Sequence, residues 1–212
     1  MRVQPVRQAL DYGPRPQAGR GIFETIRLEP GRTPRFEAQL ERLRRSAAEL
    51  YGAAVEAALA PQLAAIHALS LPPSGRLRVR LVPDRAPQAD IGPRPPDPVY
   101  TELAPFVLPG GLGAHKWLDR RLVDALAAAA GAGGLPVLID ADGAVLESVR
   151  MNVLIEERGR LVSPPADGRF RPGFGREALR YAEEPVDLDR LLAADAVVLT
   201  SALRRLRIPL SG

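Results

Sequence analysis

The stretch GLGAHKWLDRRLVDAL, which runs from Gly111 to Leu126, contains the only lysine of the chain, Lys116. Lysine and arginine together number 29, so every other basic position is arginine. The two cations are roughly interchangeable on a solvated surface, but only the lysine amine can lose its proton and attack a carbonyl. Lys116 is therefore the first candidate for catalysis. It follows a glycine turn, and the pattern after it predicts that it stands at the start of a helix.

The composition excludes several classes of site. Hydrophobic residues make up 46% of the 212 residues and charged residues 25%, as in ordinary globular proteins. With no cysteine and only His67 and His115, we expect no disulfide framework, no cysteine nucleophile and no metal site. The N-terminal stretch lacks a signal-type apolar core, and no run approaches membrane-spanning length. We therefore expect a cytoplasmic protein without membrane contact.

The net charge of +4 and the isoelectric point of about 10.1 raise the question of nucleic-acid binding. The basic residues are scattered, with acidic residues between them, and aromatic residues make up only 5% of the chain. Such a chain offers little for base stacking, so we expect no nucleic-acid partner. The same charge suits a small anionic substrate.

The first part of the chain predicts a β-α-α-β unit. Residues 19–31 alternate between apolar and polar side chains, as in a strand, and residues 75–84 do the same. Between them, residues 34–52 and 57–70 have helical patterns. The apolar face of the first of these helices comprises Phe36, Leu40, Leu43, Ala47 and Leu50.

A proline-rich stretch, residues 84–98, indicates an interdomain linker without regular structure. We therefore predict an N-terminal domain over 1–98 and a C-terminal domain over 99–212. The C-terminal part predicts a strand, a helix over 118–134, several strands over 136–165, two short helices and a buried last strand. This mixture indicates an α+β (mixed α/β) fold.

Four pieces of the chain contain side chains suited to catalysis. The first is Lys116, and the second is a predicted strand–turn–strand with Glu147 and Asn152 five residues apart. The third is a proline–glycine loop, SPPADGRFRPGFGREAL, which opens a helix at about Phe174. The fourth is a strand that ends in Thr200 and Ser201. Taken singly, each piece has a structural explanation, as a surface lysine, a solvated turn, a connector or an ordinary strand end.

In this order the pieces resemble the class IV, or fold-type IV, pyridoxal-phosphate enzymes. GIFETIRL is similar to the first strand of that family, FEAQLERLRRSAAEL to its first helix, and HKWLDR to its cofactor-lysine stretch. DADGAVLESVRMNVLI is similar to the glutamate–asparagine hairpin, and AADAVVLTSALRRLRIP to the closing strand. The resemblance spans Gly21 to about Arg207. It implies two domains, a small N-terminal α/β domain and a larger, pseudo-barrel-like C-terminal α/β domain.

The resemblance also implies roles in binding pyridoxal 5'-phosphate. Lys116 is expected to bind the cofactor covalently and then to transfer protons, and Glu147 to contact the pyridine nitrogen. Arg42 matches the phosphate-binding arginine, with Arg44 and Arg45 beside it. The remaining cofactor contacts are expected from the backbone amides of Phe174 and Gly175 and from Thr200. Asn152 either supports its hairpin or touches the substrate, and Arg80 and Ser201 are candidates for binding the substrate.

Within the family, the short chain, AHKWLDR and LTSALRRLRIP are most similar to 4-amino-4-deoxychorismate lyases. Such a lyase forms 4-aminobenzoate and pyruvate in folate biosynthesis. The resemblance implies a homodimer and a pathway link to an aminodeoxychorismate synthase. The alternatives are a class IV aminotransferase acting on a branched-chain or D-amino acid, and a degenerate, non-catalytic paralogue or basic anion-binding module.

The chain departs from the family pattern at three places. LDYGPRPQAGRG replaces the usual aspartate–arginine–glycine turn before the first strand, and the connection over 181–195 is short. Gly175 replaces the bulky or hydroxyl residue that usually precedes the loop arginine. We expect these changes to loosen cofactor binding or to open the substrate pocket.

Overall fold

The computed structural model describes residues 1–30 and 35–210. Within them the helices are α1 (Phe36–Tyr51), α2 (Ala53–His67), α3 (Arg121–Ala130), α4 (Phe174–Glu177) and α5 (Leu188–Ala193). The first strands are β1 (Arg2–Val3), β2 (Arg7–Gln8), β3 (Ile22–Leu28), β4 (Gly75–Leu81), β5 (Gln88–Gly92) and β6 (Glu102–Val107). The later strands are β7 (Gly134–Ile139), β8 (Val145–Ser148), β9 (Met151–Glu157), β10 (Arg160–Ser163), β11 (Ala182–Glu183), β12 (Ala196–Thr200) and β13 (Arg205–Pro209).

The chain folds as two compact units. The lysine unit consists of residues 16–96 and 115–119, and the hairpin unit of residues 1–15, 97–114 and 120–210. The sequence predicted a single boundary after residue 98, whereas the chain passes between the units several times. Residues 1–15 group with the hairpin unit because β1 and β2 pair in parallel with β6. Residues 115–119 group with the lysine unit because Trp117 pairs with Ile22.

The lysine unit combines an antiparallel three-stranded sheet, in the order β3-β4-β5, with α1 and α2. The apolar residues on one face of β3 and β4 pack against the apolar sides of the two helices, and together they form one core. In α1 this stripe is Phe36, Leu40, Leu43 and Ala47, spaced as a helix requires, and each is buried. Gly52, at φ +90°, ends that helix. Each fully buried leucine or isoleucine contributes about 1.5–3 kcal/mol to this core.

The expectation that residues 84–98 hold no regular structure is wrong, because β5 lies within them. β5 pairs with β4 through five residues and forms one edge of the sheet. Its prolines, Pro87 and Pro93, stand just outside the strand, where a missing amide donor costs no ladder hydrogen bond. The prolines on both sides of β5 therefore led to the prediction of a linker where the chain forms a short edge strand.

The hairpin unit is built on one mixed ten-stranded sheet, whose main path is β1-β6-β7-β8-β9-β10-β11. β6 and β7 are parallel, whereas β7, β8 and β9 are antiparallel neighbours. β12 pairs with β9 and with β13. Two buried clusters stabilise this sheet, one of which includes Leu122, Val123 and Leu126 of α3.

The prediction of a mixed α/β protein is confirmed, with local differences. The helix predicted to open at about Phe174 is a single turn, α4, which β11 follows, and the pairing strand β13 was not predicted. Among the described residues, no helix is both long enough and apolar enough to cross a bilayer.

Candidate functional site

Three strands of the hairpin unit bring candidate side chains into one row. Glu147 on β8 stands directly opposite Asn152 on β9, and Asn152 stands directly opposite Thr200 on β12. Directly opposed residues of antiparallel strands project from the same face of a sheet, so the three side chains share one face. Glu147 is half-buried, whereas Asn152 and Thr200 are only 4% and 1% exposed. The local hairpin was predicted, but the place of Thr200 in the row required the tertiary structure.

Asn152 binds the proline–glycine loop. Its Nδ2 donates to the carbonyl oxygen of Arg171 at 3.0 Å, and its Oδ1 accepts from the amide of Gly173. Both polar groups of the amide side chain therefore engage the loop backbone. This arrangement gives Asn152 a supporting role, with the loop rather than the hairpin as the supported segment.

Thr200 presents a buried hydroxyl. Within the described part of the chain, its Oγ1 is buried and has no hydrogen-bond partner. Leaving a buried hydroxyl without a partner costs free energy, so such an atom at a candidate site fits a bound polar ligand. Ser201 is different, because its Oγ accepts from the amide of Leu203 at 3.2 Å and its amide donates to the Arg204 carbonyl at 2.9 Å. Ser201 therefore closes the turn between β12 and β13.

Gly175 lies against the backbone that follows Thr200. A Cβ at position 175 would stand 2.3 Å from the carbonyl oxygen of Ser201 and 3.0 Å from its carbonyl carbon. Only glycine permits this approach between α4 and the end of β12. The departure from the family pattern therefore has a packing reason, and Gly175 brings the first turn of α4 against the end of β12. The first amides of a helix have no acceptor within the helix.

We expect Gly175→Ala to lower the free energy of unfolding by about 1–3 kcal/mol, because either the loop or the Ser201 backbone must move. Thermal and denaturant unfolding would measure this change. Gly19→Ala is the matched control, since a Cβ there meets nothing within 4 Å. Equal stability of the Gly175 variant and the wild type would contradict the close approach.

The glycine turn that precedes Lys116 is held against the same loop. The amide of Gly113 donates to the carbonyl oxygen of Arg169 at 3.0 Å. A Cβ on Gly111, which has φ +62°, would stand 2.1 Å from that oxygen. The Arg169 side chain bonds to Asp140 at 2.8 Å, and this hydrogen bond leads the causes that hold the pKa of Asp140 below its ordinary value. A hydrogen bond and a close backbone contact thus join the turn over 110–113 to the loop.

Lys116 itself lies in an extended segment of the lysine unit. The prediction that it starts a helix is wrong, because α3 begins only at Arg121. The carbonyl of Lys116 accepts from the Phe23 amide at 2.9 Å, and the Leu118 amide donates to the Gly21 carbonyl at 2.9 Å. These bonds attach the segment to β3. The ammonium nitrogen lies 4.8 Å from the centre of the Phe23 ring, within reach of a cation–π interaction.

A buried carboxylate, Glu24, links Lys116 with Arg42. The Nε of Arg42 donates to Glu24 Oε1 at 2.9 Å, and Lys116 Nζ lies 3.9 Å from Glu24 Oε2. The side chain of Glu24 is 3% exposed, that of Arg42 13% and that of Lys116 22%. The structure thus brings together two predicted cofactor residues through a third residue that the sequence analysis did not single out.

The sequence does contain a trace of Glu24. It lies on the same face of β3 as Ile22 and Ile26, which are both core residues. A charged residue on that face is unusual, because a carboxylate is almost never buried unless it is paired. Its partners come from α1 and from residue 116, so no local pattern could identify them.

Three other arginines of the lysine unit, Arg44, Arg76 and Arg80, pair with acidic residues nearer the surface. Arg80 bonds to Asp90 on β5, and Arg76 bonds to the same carboxylate at 3.0 Å. Burial alone raises the pKa of Asp90, but the two arginines outweigh this effect and hold it below its ordinary value. Arg44 pairs with Glu41 at 2.8 Å and with Glu56. Arg42 is therefore the arginine of its helix that turns to the buried carboxylate.

Comparison with known proteins gives one family match. Residues 21–208 match the family described as amino-transferase class IV. A search of the curated proteins finds no significant match.

Solved structures include several with this fold. A "putative amino-acid aminotransferase" from Mesorhizobium loti is 27% identical, with a TM-score of 0.70 over 89% of this chain and 97% of that one. A 4-amino-4-deoxychorismate lyase from Pseudomonas aeruginosa is 21% identical, with a TM-score of 0.65 over 95% and 93%. A hypothetical aminotransferase from Mycobacterium tuberculosis, in its PLP-bound form, is 24% identical, with a TM-score of 0.65 over 90% and 80%. At these identities the last two show likeness of fold alone.

Proposed function

The chain belongs to the class IV aminotransferase family, and from this premise we propose that it is a lyase dependent on pyridoxal 5'-phosphate (PLP). The proposed reaction converts 4-amino-4-deoxychorismate to 4-aminobenzoate and pyruvate. The observation that carries the proposal is the row of Glu147, Asn152 and Thr200, with the proline–glycine loop bound to its middle member.

The hairpin unit offers donors that fit a phosphate group. A phosphate oxygen accepts hydrogen bonds, and the buried hydroxyl of Thr200 has a proton to donate but no partner among the described residues. The amides of Phe174 and Gly175 begin α4, which Gly175 brings close to the residue after Thr200. The helix is one turn long, so we assign the binding to individual amide donors rather than to a helix dipole. These residues therefore fit the cofactor.

When bound, PLP supplies a protonated pyridine ring that accepts electrons from the substrate carbon. Glu147 would hold the proton at the pyridine nitrogen, since a carboxylate partner favours the charged ring. Lys116 would hold the cofactor through its amine, and its free amine would serve as the base that takes the proton from the amine-bearing carbon of the substrate. Arginine could perform neither task, which accounts for the single lysine.

Arg42 supplies positive charge for the phosphate. Its guanidinium has five N–H donors, and the bond from Nε to Glu24 fixes its orientation. Arg80 is a weaker candidate for the substrate carboxylates, because its guanidinium already bonds to Asp90. Ser201 would reach substrate only by giving up its bonds in the β12–β13 turn.

The choice of a lyase rests on the similarity of AHKWLDR and of the closing segment to the lyases. A lyase needs only one half of the aminotransferase chemistry, so it needs no second amino-acid specificity loop. The runner-up is an aminotransferase, which the 27% identity with the Mesorhizobium loti protein favours. In either case we propose a small anionic substrate, a cytoplasmic protein and a homodimer.

Multiple turnover without an acceptor separates the two reactions. With 4-amino-4-deoxychorismate alone, we expect continued release of pyruvate and 4-aminobenzoate, because elimination returns the enzyme to its starting state. Transamination would stall after one equivalent and resume on addition of 2-oxoglutarate, which would contradict the lyase. If neither product nor visible cofactor absorbance is seen, the chain is a non-catalytic paralogue.

Arg42→Ala is expected to weaken PLP affinity by roughly tenfold to a hundredfold, with a smaller effect on the turnover of the saturated enzyme. A charge-assisted contact of this kind contributes about 1.5–3 kcal/mol. Titration of the cofactor-free protein with PLP measures the change. Arg45→Ala, exposed on the same helix, is the control. Loss of affinity in the control alone would move the phosphate contact to Arg45.

A further inference from the structure

Glu24 is a charged residue where the strand pattern calls for an apolar one. It is 2% exposed and shares its face of β3 with the core residues Ile22 and Ile26. Replacing a buried ion pair with apolar side chains is often neutral or stabilising, so the fold alone does not require this carboxylate. A function for its charge is the simpler explanation.

Each of the two carboxylate oxygens of Glu24 faces a different cation. Oε1 accepts from Arg42 Nε at 2.9 Å, whereas Oε2 lies 3.9 Å from Lys116 Nζ and accepts from the Thr25 amide at 3.3 Å. The bond to the backbone fixes the carboxylate on its own strand. One rigid group thus touches both the helix that carries Arg42 and the segment that carries Lys116.

We propose that Glu24 is a positioning residue that orients Arg42 and sets the protonation state of Lys116. The proposal rests on the proposed function in one respect, since it takes these two residues as the ones that bind PLP. Lys116 must release one proton to the solvent before its amine can act as a nucleophile. Glu24 stabilises the ammonium form and so raises the pH at which that proton leaves.

Other charges of the lysine unit act on the same amine. Arg42 on α1 bonds to Glu24, the carboxylate that faces Lys116. Arg78 on β4 stacks on the Phe23 ring, with its Cζ 5.1 Å from the ring centre. His115 precedes Lys116 on its own segment and pairs with Glu49 of α1 at 3.7 Å. The arginines disfavour the ammonium form, so the carboxylate and the guanidinium groups have opposite effects on Lys116. Removing the Glu24 carboxylate must therefore lower the midpoint of the Lys116 titration, whereas removing a guanidinium group must raise it.

The single lysine permits a direct test. The 212-residue chain labelled with carbon-13 at the lysine ε-carbon alone gives one resonance, which reports the titration of Lys116 without cofactor. In Glu24→Gln we expect the midpoint to fall by about one pH unit, because an opposite charge within about 4–6 Å is lost. Glu41→Gln is the matched control. It removes an equal charge beside Arg42, but Glu41 is exposed and pairs with Arg44, so the wild-type midpoint is expected.

A second variant keeps the test valid if Glu24→Gln does not fold. Arg42→Gln leaves Glu24 facing Lys116, so we expect the midpoint to rise. An unchanged midpoint in either folded variant would overturn the proposal, since a purely structural role predicts no shift.

Cofactor binding separates this proposal from the proposed function. We expect Glu24→Gln to weaken PLP affinity by about tenfold, as measured by visible absorbance during titration with PLP, because Arg42 loses its orientation. If the midpoints shift as expected but wild-type protein gives no visible absorbance with PLP, the proposed function fails and the role of Glu24 in Lys116 protonation stands. If PLP binds but the midpoints do not shift, the proposed function stands and this inference fails.

Discussion

Replacing Lys116 with arginine is expected to abolish covalent cofactor binding and to lower turnover by about 10⁴-fold. That loss is the upper range for a positioned proton-transfer group, and arginine can replace lysine neither as a nucleophile nor as a base. The fold should survive, because an arginine keeps the positive charge that Glu24 faces at 3.9 Å. Absorbance after incubation with PLP and turnover with 4-amino-4-deoxychorismate measure the two losses.

Reductive trapping makes this result unambiguous. Borohydride treatment of wild-type protein with PLP should add the mass of one reduced cofactor to the peptide that contains Lys116, since the chain has no other lysine. The arginine variant should gain no such mass. Wild-type absorbance and turnover in the variant would remove Lys116 from the mechanism.

Glu147→Gln is expected to retain cofactor binding but to lower turnover by on the order of 100-fold. Glutamine has nearly the same shape, but it carries no charge to hold the proton at the pyridine nitrogen, so an electrostatic contribution of that size is lost. Covalent binding through Lys116 does not depend on Glu147, so the visible absorbance should remain. Steady-state turnover at saturating PLP measures the effect.

A control for this variant lies on the neighbouring strand. The side chain of Glu156 on β9 is 23% exposed and pairs with Arg207 on β13 at 2.8 Å. Glu156→Gln removes the same charge from the same sheet and should leave turnover unchanged. Wild-type rates in the Glu147 variant would reduce Glu147 to a structural member of its hairpin.

Local features of the site could be predicted because their causes are local. The sequence predicted a strand–turn–strand with Glu147 and Asn152 five residues apart, and the tight turn between β8 and β9 places the two residues opposite each other. The apolar stripe of α1 and its glycine end were predicted for the same reason. Lys116 stood out by residue chemistry alone.

Features that depend on distant partners were misjudged. The close approach of Gly175 to the Ser201 backbone, which lies 26 residues further along the sequence, was not predicted. β5 was predicted to be part of a linker because prolines flank it and its own residues show no clear apolar–polar alternation. Its pairing with β4 at the edge of the sheet could not be recognised from the sequence. Residues 1–15 were placed in the wrong unit because their parallel pairing with β6 involves no local turn that could be recognised in the sequence.

The sequence by itself therefore determined the mixed α/β class, the hairpin and the residue types capable of the chemistry. Periodicity, turn residues and the titration range of each side chain act over a few residues, and they can be read without coordinates. Only the tertiary structure decided that Thr200 completes the row with Asn152, and that Glu24 joins Arg42 to Lys116. Those relations depend on strand order and helix packing, because a buried charge or hydroxyl finds its partner through space and not through sequence spacing.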